Sequence, residues 1–203
     1  MKISLTTIKE LREKTGAGVT IVKEAVEKSK GDFEKALLYL REKGVAKAEK
    51  RASKRAEKGF IYSYIHGDGS IGVMVELNSE TDFVAKNEKF VDLAKEIALQ
   101  IASNNPEYIS ISDIPREILS REEELASKEV DTNKSKEIIE KIISGRMQKF
   151  YQDFVLLEQR YFKDESKTVK DLINDKVAVL GEKIEIGRFV RFIIGSSATK
   201  SNL

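Results

Sequence analysis

The sequence predicts an α+β fold: a three-helix N-terminal module, then a small antiparallel sheet packed with helices. Three observations carry this. Apolar residues recur at helical spacing over the first 45 residues, the period changes to two from Phe60, and the two-residue period returns near the C-terminus in KIEIGRFVRFII. Helical periods lie between the two strand regions, the pattern of a sheet covered by helices rather than of alternating βαβ units.

In residues 1–45 the helical spacing runs through Leu5, Ile8 and Leu11, then Ile21, Val22, Ala25 and Val26, then Phe33, Ala36, Leu37 and Leu40. The turn Thr15-Gly16-Ala17-Gly18 separates the first two helices. Gly31-Asp32 supplies a stop and an N-cap, and Gly44 suits the position just past the third helix. A module of about 45 residues is near the lower size limit for an unstapled core, so marginal stability is expected for it alone.

Residues 46–59, AKAEKRASKRAEKG, carry six basic and two acidic residues and no large apolar one, and read as a basic linker, helical or flexible. With no aromatic interleaved, the run is expected to be a solvated tether rather than a nucleic-acid site. Residues 60–203 form the α+β core. FIYSYIH, the turn Gly67-Asp68-Gly69 and SIGVMVELN make a β-hairpin. A helix marked by Phe90, Ala94, Ile97, Ala98 and Ile101 follows an Asn87 suited to the N-cap. Pro106 and Pro115 interrupt, and further helical periods cover Ile118 to Leu125, Ile138 to Ile143 and Met147 to Leu157.

Composition removes most catalytic chemistry. The 36 Lys and Arg nearly balance 34 Asp and Glu, so the net charge of +2 gives no strong field toward nucleic acid or anionic membrane. With no cysteine and one histidine, disulfides, thiolate metal sites and a Ser-His-Asp site are excluded or unsupported. No paired acidic motif stands out for a carboxylate-based hydrolase. No stretch approaches the roughly 20 apolar residues that span a bilayer, and the N-terminus lacks a continuous apolar run, so a cytoplasmic chain without cofactor or metal is expected.

Gly67-Asp68-Gly69-Ser70-Ile71-Gly72 matches the spacing of a dinucleotide-binding loop, but a strand rather than a helix follows it, which assigns the glycines to a hairpin turn. His66 beside that turn has no catalytic partner in sequence and reads as a surface or interface residue. The most informative segment is Glu76 to Asn87, ELNSETDFVAKN, which joins a strand to a helix yet places Phe83 and Val84 in the connection. Periodicity leaves two readings open for Phe83: it folds over the chain's own core, or it is held for a partner.

SETDFVAKNEKF resembles the Thr-Asp-Phe-Val motif of the elongation factor Ts family with its flanks. LREKTGAG and GDFEKALLYLREKG look like that family's N-terminal ubiquitin-associated-type domain, and EKIISGRMQKF with LLEQRYFKDESKTVKDLI resembles its later core. The resemblance covers essentially residues 5 to 195, with four motifs in order. It is to the short members, since long ones duplicate the core and carry a coiled-coil protrusion. Val19 and Thr20 stand where many relatives carry two methionines.

The resemblance implies a guanine-nucleotide exchange factor, not an enzyme, whose partner is elongation factor Tu. Thr81, Asp82, Phe83 and Val84 would form the motif that dislocates the partner's Mg²⁺, with Phe83 as apolar wedge and Asp82 as the disturbing carboxylate. Arg12, Val19 and Lys23 would contact the partner from the N-terminal module, and His66 from the hairpin. It also implies a noncovalent homodimer, with a seam expected at the sheet edge around Gly187 to Ile194. The rival reading, a ubiquitin-associated-type module joined to a basic RNA binder, leaves the Phe83 segment unexplained.

Overall fold

A computed structural model describes residues 4–128 and 135–195. The N-terminal module consists of α1 (Leu5–Thr15), α2 (Val19–Lys28) and α3 (Phe33–Arg51). Ser4 caps α1 by accepting from Thr7 N, and Asp32 caps α3 by accepting from Lys35 N at 3.0 Å. Leu11, Val22, Ala25 and Ala36 are fully buried between these helices, with Ile8, Val26, Leu37 and Leu40 closing the same small core.

The third helix does not stop at Gly44, as the sequence suggested, but runs on to Arg51. The residues after Gly44 are rich in Ala, Lys and Glu, which sustain a helix. Gly44 instead permits close packing: a Cβ there would lie 3.4 Å from Asn174 O and 3.5 Å from the Ala178 Cβ, both on α8 (Val169–Leu180). Lys47 Nζ donates to Ala178 O at 2.8 Å and Arg41 donates to Ser166 Oγ at 3.2 Å, so α3 lies against the core domain. Much of the basic segment is therefore helix, and only a short connection from Ala52 leads into the sheet.

The sheet contains β1 (Lys58–His66), β2 (Ile71–Ser79) and β5 (Ile184–Ile193), all antiparallel in the order β1-β2-β5. Val73, Val75 and Leu77 point from its inner face into a core shared with Phe90, Leu93, Ala94, Ile97 and Ile101 of α5 (Glu88–Asn104) and with Val169, Ile173 and Val177 of α8. The β2–β5 register shifts between Glu76 and Leu77, leaving Gly187 as the bulged residue. A side chain there would begin 2.8 Å from Asn78 Nδ2 and 2.9 Å from Glu76 Oε1.

Asn87 caps α5, as its place in the sequence indicated, and Asn105 ends the helix in the left-handed conformation just before Pro106. Pro115 immediately precedes α6 (Arg116–Lys128). The two periods expected at 138–143 and 147–157 belong largely to one helix, α7 (Lys136–Phe154), with Gly145 inside it and Leu157 in a following 3₁₀ turn. A glycine in a helix costs only about 1 kcal/mol relative to alanine, too little to break an otherwise regular run. The short ribbon β3 (Arg160–Tyr161) and β4 (Asp164–Thr168), and α8 behind it, have no separate element in the sequence reading.

Candidate functional site

β2 ends at Ser79, and the chain reaches α5 through α4 (Asp82–Ala85), a single helical turn carrying the Asp-Phe-Val residues. Thr81 is its N-cap, with Oγ1 accepting from Val84 N at 3.4 Å. Ser79 is buried and donates from Oγ to Thr81 O at 2.9 Å, while Ala85 is buried and Val84 half-buried against the core. This pattern lets one side of the turn anchor to the domain while the other faces solvent.

Phe83 occupies the solvent side and is 83% exposed, so it does not fold back over the core. Leaving a phenyl ring in water forgoes roughly 2 to 3 kcal/mol that burial would supply. Asp82, the first residue of α4, forms an ion pair with Lys86 one turn later at 3.1 Å. The Lys86 hydrogen bond and charge hold the Asp82 carboxyl below its ordinary range, so it is ionised at neutral pH.

Two carboxylates clamp the residues before Phe83. Glu80 accepts from Lys183 N at 2.7 Å and from Arg51 at 2.8 and 2.9 Å, and these contacts, the backbone one foremost, lower its pKa. Glu182 accepts from Thr81 N at 3.0 Å and from Thr81 Oγ1 at 2.7 Å. The residues just after α8 and the last residue of α3 thus meet at the start of the motif. None of the three clamping residues, Arg51, Glu182 and Lys183, was legible as a site residue. Thr81 and Glu182 are 101 positions apart, and no local pattern links them.

Arg12 lies exposed on α1, and Val19 and Lys23, four residues apart, lie exposed on α2. They share the N-terminal module and not the β2–α5 turn. His66 ends β1 at the hairpin, exposed, with its Nδ1 2.8 Å from the Tyr64 hydroxyl. The hairpin turn closes through Gly69 N donating to His66 O at 2.9 Å, with Gly67 and Gly69 both at positive φ, the role assigned to them from sequence.

In the motif turn the Asp82 and Glu80 carboxylates pair with Lys86, Arg51 and the Lys183 N–H, the Thr81 hydroxyl donates to Glu182, and the Phe83 ring faces solvent. Among the described residues no group of three or more His, Asp or Glu is placed to hold a metal. No helix among them is long and apolar enough to cross a membrane.

Comparison with known proteins gives the same family throughout. The model of the family described as Elongation factor TS matches residues 6–196. The chain is 52% identical to "Elongation factor Ts" of Thermodesulfovibrio yellowstonii, covering 97% of this chain and 98% of that one. It is 50% identical to the protein of that name from Coprothermobacter proteolyticus, over 96% of this chain and all of the relative. Identity to the Moorella thermoacetica protein is also 50%, over 98% of both chains. With nearly its full length matched by the family model and by relatives at this identity, the chain belongs to the elongation factor Ts family.

Proposed function

We propose that the chain is a cytoplasmic guanine-nucleotide exchange factor that binds elongation factor Tu and accelerates loss of GDP, with no covalent chemistry of its own. The observation that carries this reading is Phe83, an aromatic ring 83% exposed on a helical turn whose neighbours are fastened to the domain. A GTPase holds GDP through its phosphate loop and a Mg²⁺ ion that demands near-ideal octahedral oxygen geometry. A rigid apolar wedge pushed beside that ion displaces the side chains that order it. The Asp82 carboxylate, kept ionised, adds a charge that competes for the hydrogen bonds and cations around the phosphates. By linkage, a factor that binds the nucleotide-free conformation more tightly weakens GDP by the same factor.

On this reading Thr81 and Val84 support the wedge, while Arg12, Val19 and Lys23 make a second contact with the same partner. Two tethered contacts raise each other's effective concentration. The packing of α3 on α8 favours a fixed spacing between them rather than a loose tether.

The reading extends to a noncovalent homodimer, in which one subunit supplies Asp82 and Phe83 and the other the His66 hairpin. Its support is the outer face of the sheet, where Ile61, Ile65, Met74 and Phe192 are all exposed. Register places Ile65 and Phe192 on either side of Gly72, and Val190 beside Met74, so these residues make one apolar patch next to the Glu76–Arg188 ion pair. On this reading the seam at the β5 edge around Gly187 to Ile194 extends over this face. A two-fold axis would make such a patch self-complementary.

The exchange reading is tested by release of mant-GDP from purified elongation factor Tu with the chain at a small fraction of the Tu concentration. Acceleration through many turnovers supports it, and an unchanged release rate rejects it.

A further inference from the structure

We propose that Glu182 is a positioning residue of the motif: by holding both the N–H and the hydroxyl of Thr81, its carboxylate sets the direction in which α4 carries Phe83 out of the surface. The inference rests on the exchange reading for its consequence, but its structural content can be measured without the partner.

The hydroxyl of Thr81 has one proton and two lone pairs, and the proton and one lone pair have partners. It donates to Glu182 Oε1 at 2.7 Å, which turns its lone pairs toward the α4 terminus, and it accepts from Val84 N at 3.4 Å. The second carboxylate oxygen takes Thr81 N at 3.0 Å. One carboxylate therefore fixes both the backbone and the χ1 rotor of the residue that starts the turn. Asp82 and Phe83 follow directly, so a rotation at Thr81 swings the ring with the whole of α4.

Glu182 is itself held on both sides. Gly181 before it ends α8 in the left-handed conformation, φ +82°, with its N–H donating to Val177 O at 2.9 Å. After it, Lys183 donates its N–H to Glu80 at 2.7 Å, and Ile184 pairs with Ser79 in the sheet. The carboxylate thus projects from a connection fixed by a helix end and a strand start, which is what a positioning group requires. Thr81 Oγ1 and N–H both donate to Glu182, and among the described residues no other side chain accepts from either. A general fold-stabilising role would not confine its effect to residues 81–86, the turn itself, and that difference separates the two.

The experiment compares wild type, Glu182→Ala, Glu182→Gln, Phe83→Ala and the double variant Phe83→Ala/Glu182→Ala. Amide hydrogen exchange of the free protein is expected to rise about tenfold across residues 81–86 in Glu182→Ala, the lower end of what a charge-assisted hydrogen bond contributes, with α5 amides unchanged. Glu182→Gln, which keeps one accepting oxygen, should lie between wild type and Glu182→Ala. In mant-GDP release Glu182→Ala should be slowed about tenfold at saturating factor, with no further loss when added to Phe83→Ala, since both act through one ring.

Unchanged exchange across residues 81–86 would overturn the proposal, as would losses that multiply in the double variant. If Glu182→Ala unfolds, Glu182→Gln decides: faster exchange confined to residues 81–86 supports positioning, whereas wild-type protection or faster exchange of the whole chain overturns it. Should wild type itself fail to accelerate release, the exchange function falls, and the amide pattern still tests the anchor.

Discussion

The Arg51 guanidinium holds both oxygens of Glu80, at 2.8 and 2.9 Å, joining the last residue of α3 to the residue two before Asp82. Glu80 also receives the Lys183 N–H, so its carboxylate sits where three parts of the chain converge: the N-terminal module, the β2–α5 turn and the α8–β5 connection. The N-terminal module and the motif turn are thus mechanically linked within the same few ångströms.

This convergence makes the motif turn acid-sensitive. The Lys183 N–H, and after it Arg51, lower the Glu80 pKa in the folded chain. A lowered folded pKa means the stabilisation is fully present above the unfolded carboxyl value, about 4.3, and is lost as pH falls through the folded value. We expect amide protection of residues 80–86 to be constant from neutral pH down to about 5 and to fall below about 4. Glu80→Gln should flatten that dependence. Arg51→Ala should cost about 1 kcal/mol or less of global stability, because the guanidinium side chain is 35% exposed and partly screened. A thermal melt of the variant checks the size.

The contact between α3 and α8 gives a second prediction. Gly44→Ala should be neutral or stabilising by up to about 1 kcal/mol, since a methyl reaches Asn174 O and Ala178 at ordinary contact and alanine favours the helix. Gly44→Leu should be destabilising because the helices must part to admit it. Denaturant midpoints of the two variants moving in the same direction would contradict the close-packed reading. For the same reason a truncation after residue 44 cuts α3 in the middle and uncovers α8. We expect the remaining chain to be less stable than wild type, rather than an intact core released from a tether.

Gln100 and Gln159 form a buried polar pair in the core. Gln100 donates to Gln159 Oε1 at 3.1 Å and to Arg160 O at 3.0 Å, and accepts from Phe162 N at 3.0 Å. Gln100→Leu leaves the buried Gln159 amide without its partner and removes the bonds to Arg160 O and Phe162 N at the edge of the core, and should cost about 2 kcal/mol, seen as a lower urea midpoint with an unchanged slope. A loss under about 0.5 kcal/mol would show that water reaches the pair.

If the proposed homodimer forms through this patch, a charge on the outer sheet face should separate the subunits. Val190→Asp or Met74→Glu should convert the chain to a monomer in light scattering at micromolar concentration while leaving the circular dichroism unchanged. A wild-type chain that is monomeric both free and with its partner would contradict the shared arrangement.

Much of this architecture was legible because it is encoded locally. The caps at Asp32 and Asn87, the glycines of the 67–69 turn and the alternating strands each announce themselves within a few residues. Gly44 misled because a glycine after a periodic run marks a helix end equally well as a close helix crossing, and only the partner helix decides between them. The β3–β4 ribbon and α8 lack a separate signature since the ribbon is short and polar, DESKT following a two-residue strand. Thr81 to Val84 were singled out through their resemblance to a family motif, and Phe83 also through being apolar in a connection. Glu182 and Arg51 act through pairings across 101 and 29 positions, and each alone is one charged residue among 70.

Whether the exposed ring of Phe83 is the wedge is decided by Phe83→Ala in catalysed release of mant-GDP from elongation factor Tu, run beside a thermal melt. The melting temperature should be unchanged, since the ring touches solvent and not the core. Release should slow by a factor of about 30 or more, the loss of a hot-spot aromatic worth roughly 2 kcal/mol. A variant that releases GDP as fast as wild type, or one whose melting temperature falls by several degrees, would contradict the wedge role.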